Sequence, residues 1–180
     1  MSSVPPRSDE ALYRRLVEGD LAAFDQLFER YAAHLLGFIR HELSDGAEAE
    51  DVLQEVFVAV LRQRGRGTAA RSVRAWLFEV ARHLCLNRAR SRRRGARAKA
   101  EAPLTAVPAP HLDQALEEHQ RFHSLHRALA RLPEPLGALY RLRASGLSYQ
   151  EMAEVLGVPL GTVKSRMHEM LGRLREEMLR

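Results

Sequence analysis

The residues that most constrain the fold close the chain: "GLSYQEMAEVLGVPLGTVKSRMHEMLGRLREEM", 146–178. Ser148 and Glu151 form S-x-x-E, the capping box that satisfies two orphan N–H groups at a helix start. Met152, Ala153 and Leu156 follow at helical spacing, and small Ala153 lets a second helix cross closely. Gly157 supplies the left-handed conformation that a sharp turn needs, since it has no Cβ to clash. Val158 plugs the corner, and Gly161 or Thr162 opens the second helix. Val163, Met167, Met170, Leu171 and Leu174 make its inward stripe. Lys164, Ser165 and His168 then face outward near its N-terminal end, where a recognition helix presents base-reading side chains. The pattern is a helix-turn-helix; the bland alternative is a helical hairpin that touches no DNA.

The rest of the chain is also helical in pattern, and no segment alternates as a strand. From Asp20, the positions Phe24, Leu27, Phe28, Tyr31, Leu35, Phe38 and Ile39 recur at three and four. "LSDGAE" breaks that run at Gly46. A helix over about 47–63 buries Leu53, Val56, Phe57, Val60 and Leu61. After the basic loop "RGRGTAARS", another helix starts near Ser72 and turns Leu77, Val80, Ala81 and Leu84 inward. "GARAKAEAPLTAVPAPH" (95–111) has three prolines and almost no large apolar residues, which predicts a linker. A second helical unit begins near Leu112, and "LPEP" places a proline in the first turn of its next helix. The expected fold is all-α. Two small helical domains, 9–94 and 112–180, are joined by a linker at 95–111.

Charge is divided along the chain. Residues 1–63 hold 12 acids and 6 bases, whereas 64–100 hold 12 bases and the single acid Glu79; the remainder is balanced. A chain that only coated DNA has no need of an acidic first third, so the split implies a protein partner beside a phosphate partner. On "AEDVLQEVFVAVLRQR", Asp51, Gln54, Glu55, Val58 and Arg62 share one stripe opposite the core set. Alone, that stripe is an ordinary solvated face. On "RSVRAWLFEVARHLCLNRARSRRR", Arg71, Arg74, Arg82, Arg88 and Arg90 offer phosphate partners, and Arg92 to Arg94 extend them. His83 and Asn87 lie four apart, within reach of bases. Trp76 is either a core residue or a stacking platform.

Other features exclude whole classes. Cys85 is the only cysteine, so neither an intramolecular disulfide nor a cysteine-rich zinc site can form, and a packed thiol is expected. His119, His123 and His126 lie on one helical face but lack ligand partners at signature spacing, which favours a surface stripe over a metal site. There is no Gly-rich phosphate loop and no nucleophile elbow. The expectation is therefore no catalysis, no cofactor and no metal. The N-terminus lacks a signal-peptide core, and no apolar run approaches the roughly 18 residues of a membrane span. A soluble intracellular protein without membrane insertion is expected.

"AEDVLQEVFVAVLR", "RAWLFEVARHLCLNRAR" and "LPEPLGALYRLRASGLSYQEMAEVLGVPLGTVKSRMHEML", in this order and spacing, resemble the extracytoplasmic-function group of sigma-70 transcription factors. The resemblance covers about 11–95 and 112–178. It implies a sigma-2 helical bundle and a sigma-4 helix-turn-helix domain in a promoter-specificity subunit of bacterial RNA polymerase. Core RNA polymerase and promoter DNA are the implied partners, the cytoplasm the implied location, and an anti-sigma factor the implied regulator. Carried over by residue, Asp51, Gln54, Glu55 and Val58 contact core polymerase. Arg74, Arg82, His83, Asn87 and Arg88 engage the −10 element. Thr162, Lys164, Ser165, Arg166 and His168 read the −35 element. The two elements lie about 85 Å apart at about 3.4 Å per base-pair step. Two domains with a linker of about 20 residues, at most about 65–70 Å extended, bridge that distance.

Two departures stand out. His83 occupies a position where the family commonly has Asn, and "HEMLG" replaces a basic run after His168. Glu169 either repels phosphates and weakens binding, or accepts a hydrogen bond from a cytosine amino group. The competing function is a homodimeric helix-turn-helix regulator that never joins polymerase, but no dimerisation helix or ligand pocket is evident. A third, a non-DNA-binding adaptor, has only Glu169 in its favour.

Overall fold

In the computed structural model of the chain, the described residues are 8–43, 46–62, 72–98 and 127–178. They form seven helices, α1 (Asp9–Val17), α2 (Leu21–Glu42), α3 (Gly46–Arg62), α4 (Val73–Ala98), α5 (Glu134–Ala144), α6 (Tyr149–Leu156) and α7 (Leu160–Met178), and 127–130 are also helical. No strand occurs among the described residues. The chain divides into two compact units. One carries α1–α4, and the other carries α5, α7 and most of α6.

In the first unit each helix start is chemically marked. The Ser8 hydroxyl accepts from the Ala11 N–H (3.2 Å) and opens α1. Asp20 accepts from the Ala22 N–H (3.0 Å) and opens α2, with Gly19 at φ +98° in the preceding turn. Arg15 also binds the Asp20 carboxylate and holds it below the usual carboxylate range. The Ser72 hydroxyl accepts from the Ala75 N–H (3.2 Å) at the start of α4. Such caps satisfy N–H groups that have no partner inside the helix.

Leu12, Leu16, Leu27, Leu35, Phe38, Ile39, Val56, Leu77 and Phe78 are almost wholly buried and form the core of this bundle. The Phe38 and Phe78 rings meet edge-on at 5.3 Å, joining α2 to α4. Trp76 is a core residue, buried and edge-on to Tyr13 at 5.5 Å. Asp9 anchors α1 on α2 by accepting from Arg30 and from the Tyr31 hydroxyl. Burial, with Asp9 adjacent, pushes the Tyr31 phenol well above its ordinary value.

The second unit has its own core in Leu136, Leu139, Leu142, Leu147, Met152, Val163, Met167 and Met170. Its capping box closes in both directions. The Glu151 N–H donates to the Ser148 hydroxyl (3.2 Å), and the Ser148 N–H donates to Glu151 Oε2 (2.7 Å). Gly157 has φ +63°, the left-handed turn expected between α6 and α7. α5 carries Pro135 in its first turn behind Pro133.

Several expectations need correcting. Leu171 is 50% exposed rather than inward, because the stripe of Val163, Met167 and Met170 already fills the side of α7 that meets its unit. Phe28 is 43% exposed, although its ring lies 4.7 Å from the buried Phe57. Leu53, Leu61, Val80 and Leu84 are only half-buried. Gly46 is the first residue of α3 and not a separate turn, and α7 opens at Leu160, behind Pro159. α4 continues to Ala98, into the stretch expected as linker, since Arg and Ala favour helix even beside Gly95. The histidine stripe at 119, 123 and 126 lies outside the described residues.

Candidate nucleic-acid and polymerase interfaces

Asp51, Gln54, Glu55 and Val58 are all exposed along α3, with Val52, Val56 and Val60 buried behind them. They do not stand on a flat helix. Together with Ala59 and Arg62 they form one wall of a groove of about 670 Å³ whose other wall is Leu84 and Arg88 of α4. Val58, 41% exposed, gives this charged groove an apolar point. Arg88 reaches across to pair with Glu55, and Arg92 pairs with Glu48 at 3.3 Å. The acidic and basic blocks of the sequence are thus laced together along α3 and α4. Leu84 and Arg88 as groove walls were not foreseeable from periodicity, because Arg88 is 33 residues from Glu55 and the contact is tertiary.

The five −10 candidates of α4 do not share one face. At 3.6 residues per turn, His83 and Asn87 lie on one stripe with Arg90 and Arg94, and all four are exposed. Arg82 is half-buried on its flank. Arg88 turns to α3. Arg74 lies on the opposite side, half-buried, where its charge acts on the Tyr31 hydroxyl. His83, Asn87, Arg90 and Arg94 thus form the exposed polar stripe of α4, turned away from the buried side of the helix.

On α7, Ser165 and His168 point outward, and Lys164 is exposed beside them. Thr162 and Arg166 are half-buried towards the other edge. The Ser165 hydroxyl donates to the Thr162 carbonyl (3.1 Å) one turn earlier. Glu169 is not a lone carboxylate: Arg173 Nε and Nη2 both reach its Oε1 at 3.0 Å. The i, i+4 spacing of Glu169 and Arg173 was the available signal for that pair. Among the described residues no cluster of three or more His, Cys, Asp or Glu is arranged to hold a metal, and no helix is long and apolar enough to cross a membrane.

The first unit thus carries a mixed-charge groove between α3 and α4 and an exposed polar stripe on α4, and the second unit carries an exposed polar stripe on α7. Residues 27–95 match the profile of sigma-70 region 2, and residues 122–174 match that of sigma-70 region 4. The ECF RNA polymerase sigma factor RpoE of Cereibacter sphaeroides is 35% identical over 99% of this chain and 99% of its own length. SigM, an ECF RNA polymerase sigma factor of Mycobacterium tuberculosis, is 35% identical over 93% of this chain and 83% of its own. The sigma factor RpoE of Bartonella quintana, solved with the anti-sigma factor NepR, shares the fold with a TM-score of 0.65. It is 24% identical, covering 86% of this chain and 96% of that one. The chain belongs to the ECF group of the sigma-70 family of transcription initiation factors.

Proposed function

We propose that this protein is an alternative sigma factor that binds core RNA polymerase, directs it to promoters through −10 and −35 elements, and is held in check by an anti-sigma factor. The observation that carries the reading is the α3–α4 groove. Asp51 and Glu55 stand on its α3 wall, while His83, Asn87, Arg90 and Arg94 are exposed on a stripe of α4 that does not line it, so one chain can engage polymerase and promoter together. The reading divides the chain at 9–94, 95–111 and 112–180. Asp51, Gln54, Glu55 and Val58 receive polymerase. His83, Asn87 and flanking arginines engage the −10 element, and α7 reads the −35 element in the major groove, its N-terminal turn towards the phosphates. The chain works in the cytoplasm and does no chemistry of its own; catalysis belongs to polymerase.

The groove is also the natural seat for an anti-sigma factor, because occupying it denies polymerase its acidic contacts. Run-off transcription with purified core polymerase tests the function. Transcripts from a selected promoter that require this chain support it. A chain that neither binds core polymerase nor changes the transcripts contradicts it.

A further inference from the structure

We propose that Glu169 selects cytosine at one base pair of the −35 duplex and that Arg173 is its positioning residue. The inference rests on the reading of α7 as the −35 reader and adds the base that a single side chain chooses. Glu169 follows Ser165 by one helical turn on the outward side of α7, next to His168. It is therefore carried into the same groove as those two side chains.

An unpaired carboxylate there is repelled by every phosphate and weakens binding to all sequences alike. Arg173 removes that penalty. Its Nε and Nη2 both bind Oε1, the pair is neutral, and no hydrogen bond from a described residue occupies Oε2. In the major groove cytosine presents its N4 amino group as a donor, whereas guanine presents only acceptors and thymine an acceptor and a methyl group. A carboxylate accepts from cytosine and rejects guanine and thymine by lone-pair repulsion. Adenine has an amino group, but its neighbouring N7 acceptor opposes a carboxylate. Both side chains of the pair are about half exposed (50% and 52%), so the pair adds little to the fold. Gly172, one turn beyond His168, would bring a Cβ into open space, which leaves the surface beside Glu169 clear for a base edge.

The test is selection from a promoter library randomised across the −35 element, using core polymerase with the full-length wild-type chain, Glu169→Gln, Arg173→Ala or Arg173→Lys. The wild type should prefer cytosine at one position by about tenfold. Glu169→Gln should move that preference to adenine, because an amide pairs with both N6 and N7. Arg173→Ala should flatten it, and Arg173→Lys should restore part of it. A Glu169→Gln profile that keeps every preference and gains affinity uniformly overturns the proposal and leaves the −35 reading intact. A wild type that enriches no −35 sequence overturns both.

Discussion

α4 and α7 are the two helices proposed to meet DNA, yet they supply charge in different ways. α4 carries eight arginines against one acid, and α7 four cations against three acids. By charge alone α4 should dominate every phosphate contact. Much of its charge is already engaged: Arg88 and Arg92 pair with carboxylates of α3, and Arg74 sits beside Tyr31. What α4 presents outward is the stripe of His83, Asn87, Arg90 and Arg94. α7 presents Lys164 and His168 directly, while Glu169 and Arg173 neutralise each other. Arginine number in α4 therefore counts the ion pairs that fasten it to α3 as well as the cations left open to solvent.

The comparison can be broken most severely at the buried side of α4. Phe78→Ala removes a fully buried ring that meets Phe38, and should destabilise the first unit by about 3–5 kcal/mol. Chemical denaturation should show that loss while the α5–α7 unit keeps its helical signal, since its core is separate. Next in size is the contrast between engaged and outward cations. Arg90→Ala and Lys164→Ala should each lower promoter affinity and reduce the salt slope by about 1. Arg88→Ala should change the slope less and weaken the α3–α4 groove instead. Equal slopes for Arg88→Ala and Arg90→Ala would erase the distinction.

Gly172→Ala sharpens it further. A Cβ there meets nothing within 4 Å, so alanine should stabilise α7 by about 0.5–1 kcal/mol, measured by thermal unfolding. The smallest effect belongs to Asp20. Its carboxyl is held below the ordinary range by Arg15, so the folded pKa is lower than the unfolded one. That contribution is present above the ordinary carboxylate range and is lost as pH falls through the folded value. Asp20→Asn should flatten the acid limb of the stability curve slightly.

The helix-turn-helix was almost wholly legible in the sequence, because its determinants are local. The capping box and Gly157 act within a few residues of one another and stand where they were expected, as do the buried Met152, Val163, Met167 and Met170. The α3 stripe was legible for the same reason. The misplacements share a different cause. Periodicity assigns Leu171 and Phe28 to a buried side, but which side is covered depends on the partner helices, and those are set by tertiary packing. Arg74 and Arg88 look like their neighbours in sequence; only Tyr31 and Glu55, brought in from other helices, show how they differ. α1 went unread because nine residues carry too little periodicity, and its place is fixed by Asp9 bonding Arg30 and Tyr31.

The central claim is that polymerase and promoter meet different surfaces of one chain. The most direct measurement compares core-polymerase affinity and promoter binding by the assembled holoenzyme for Asp51→Ala with Gln54→Ala, and separately for Lys164→Ala. The α3 variant should lose core affinity while holoenzyme formed at saturating concentration still selects the promoter. Lys164→Ala should bind core polymerase as the wild type does and lose promoter affinity. An α3 variant with undiminished core affinity, or a Lys164→Ala chain that binds the promoter unchanged, would contradict the account.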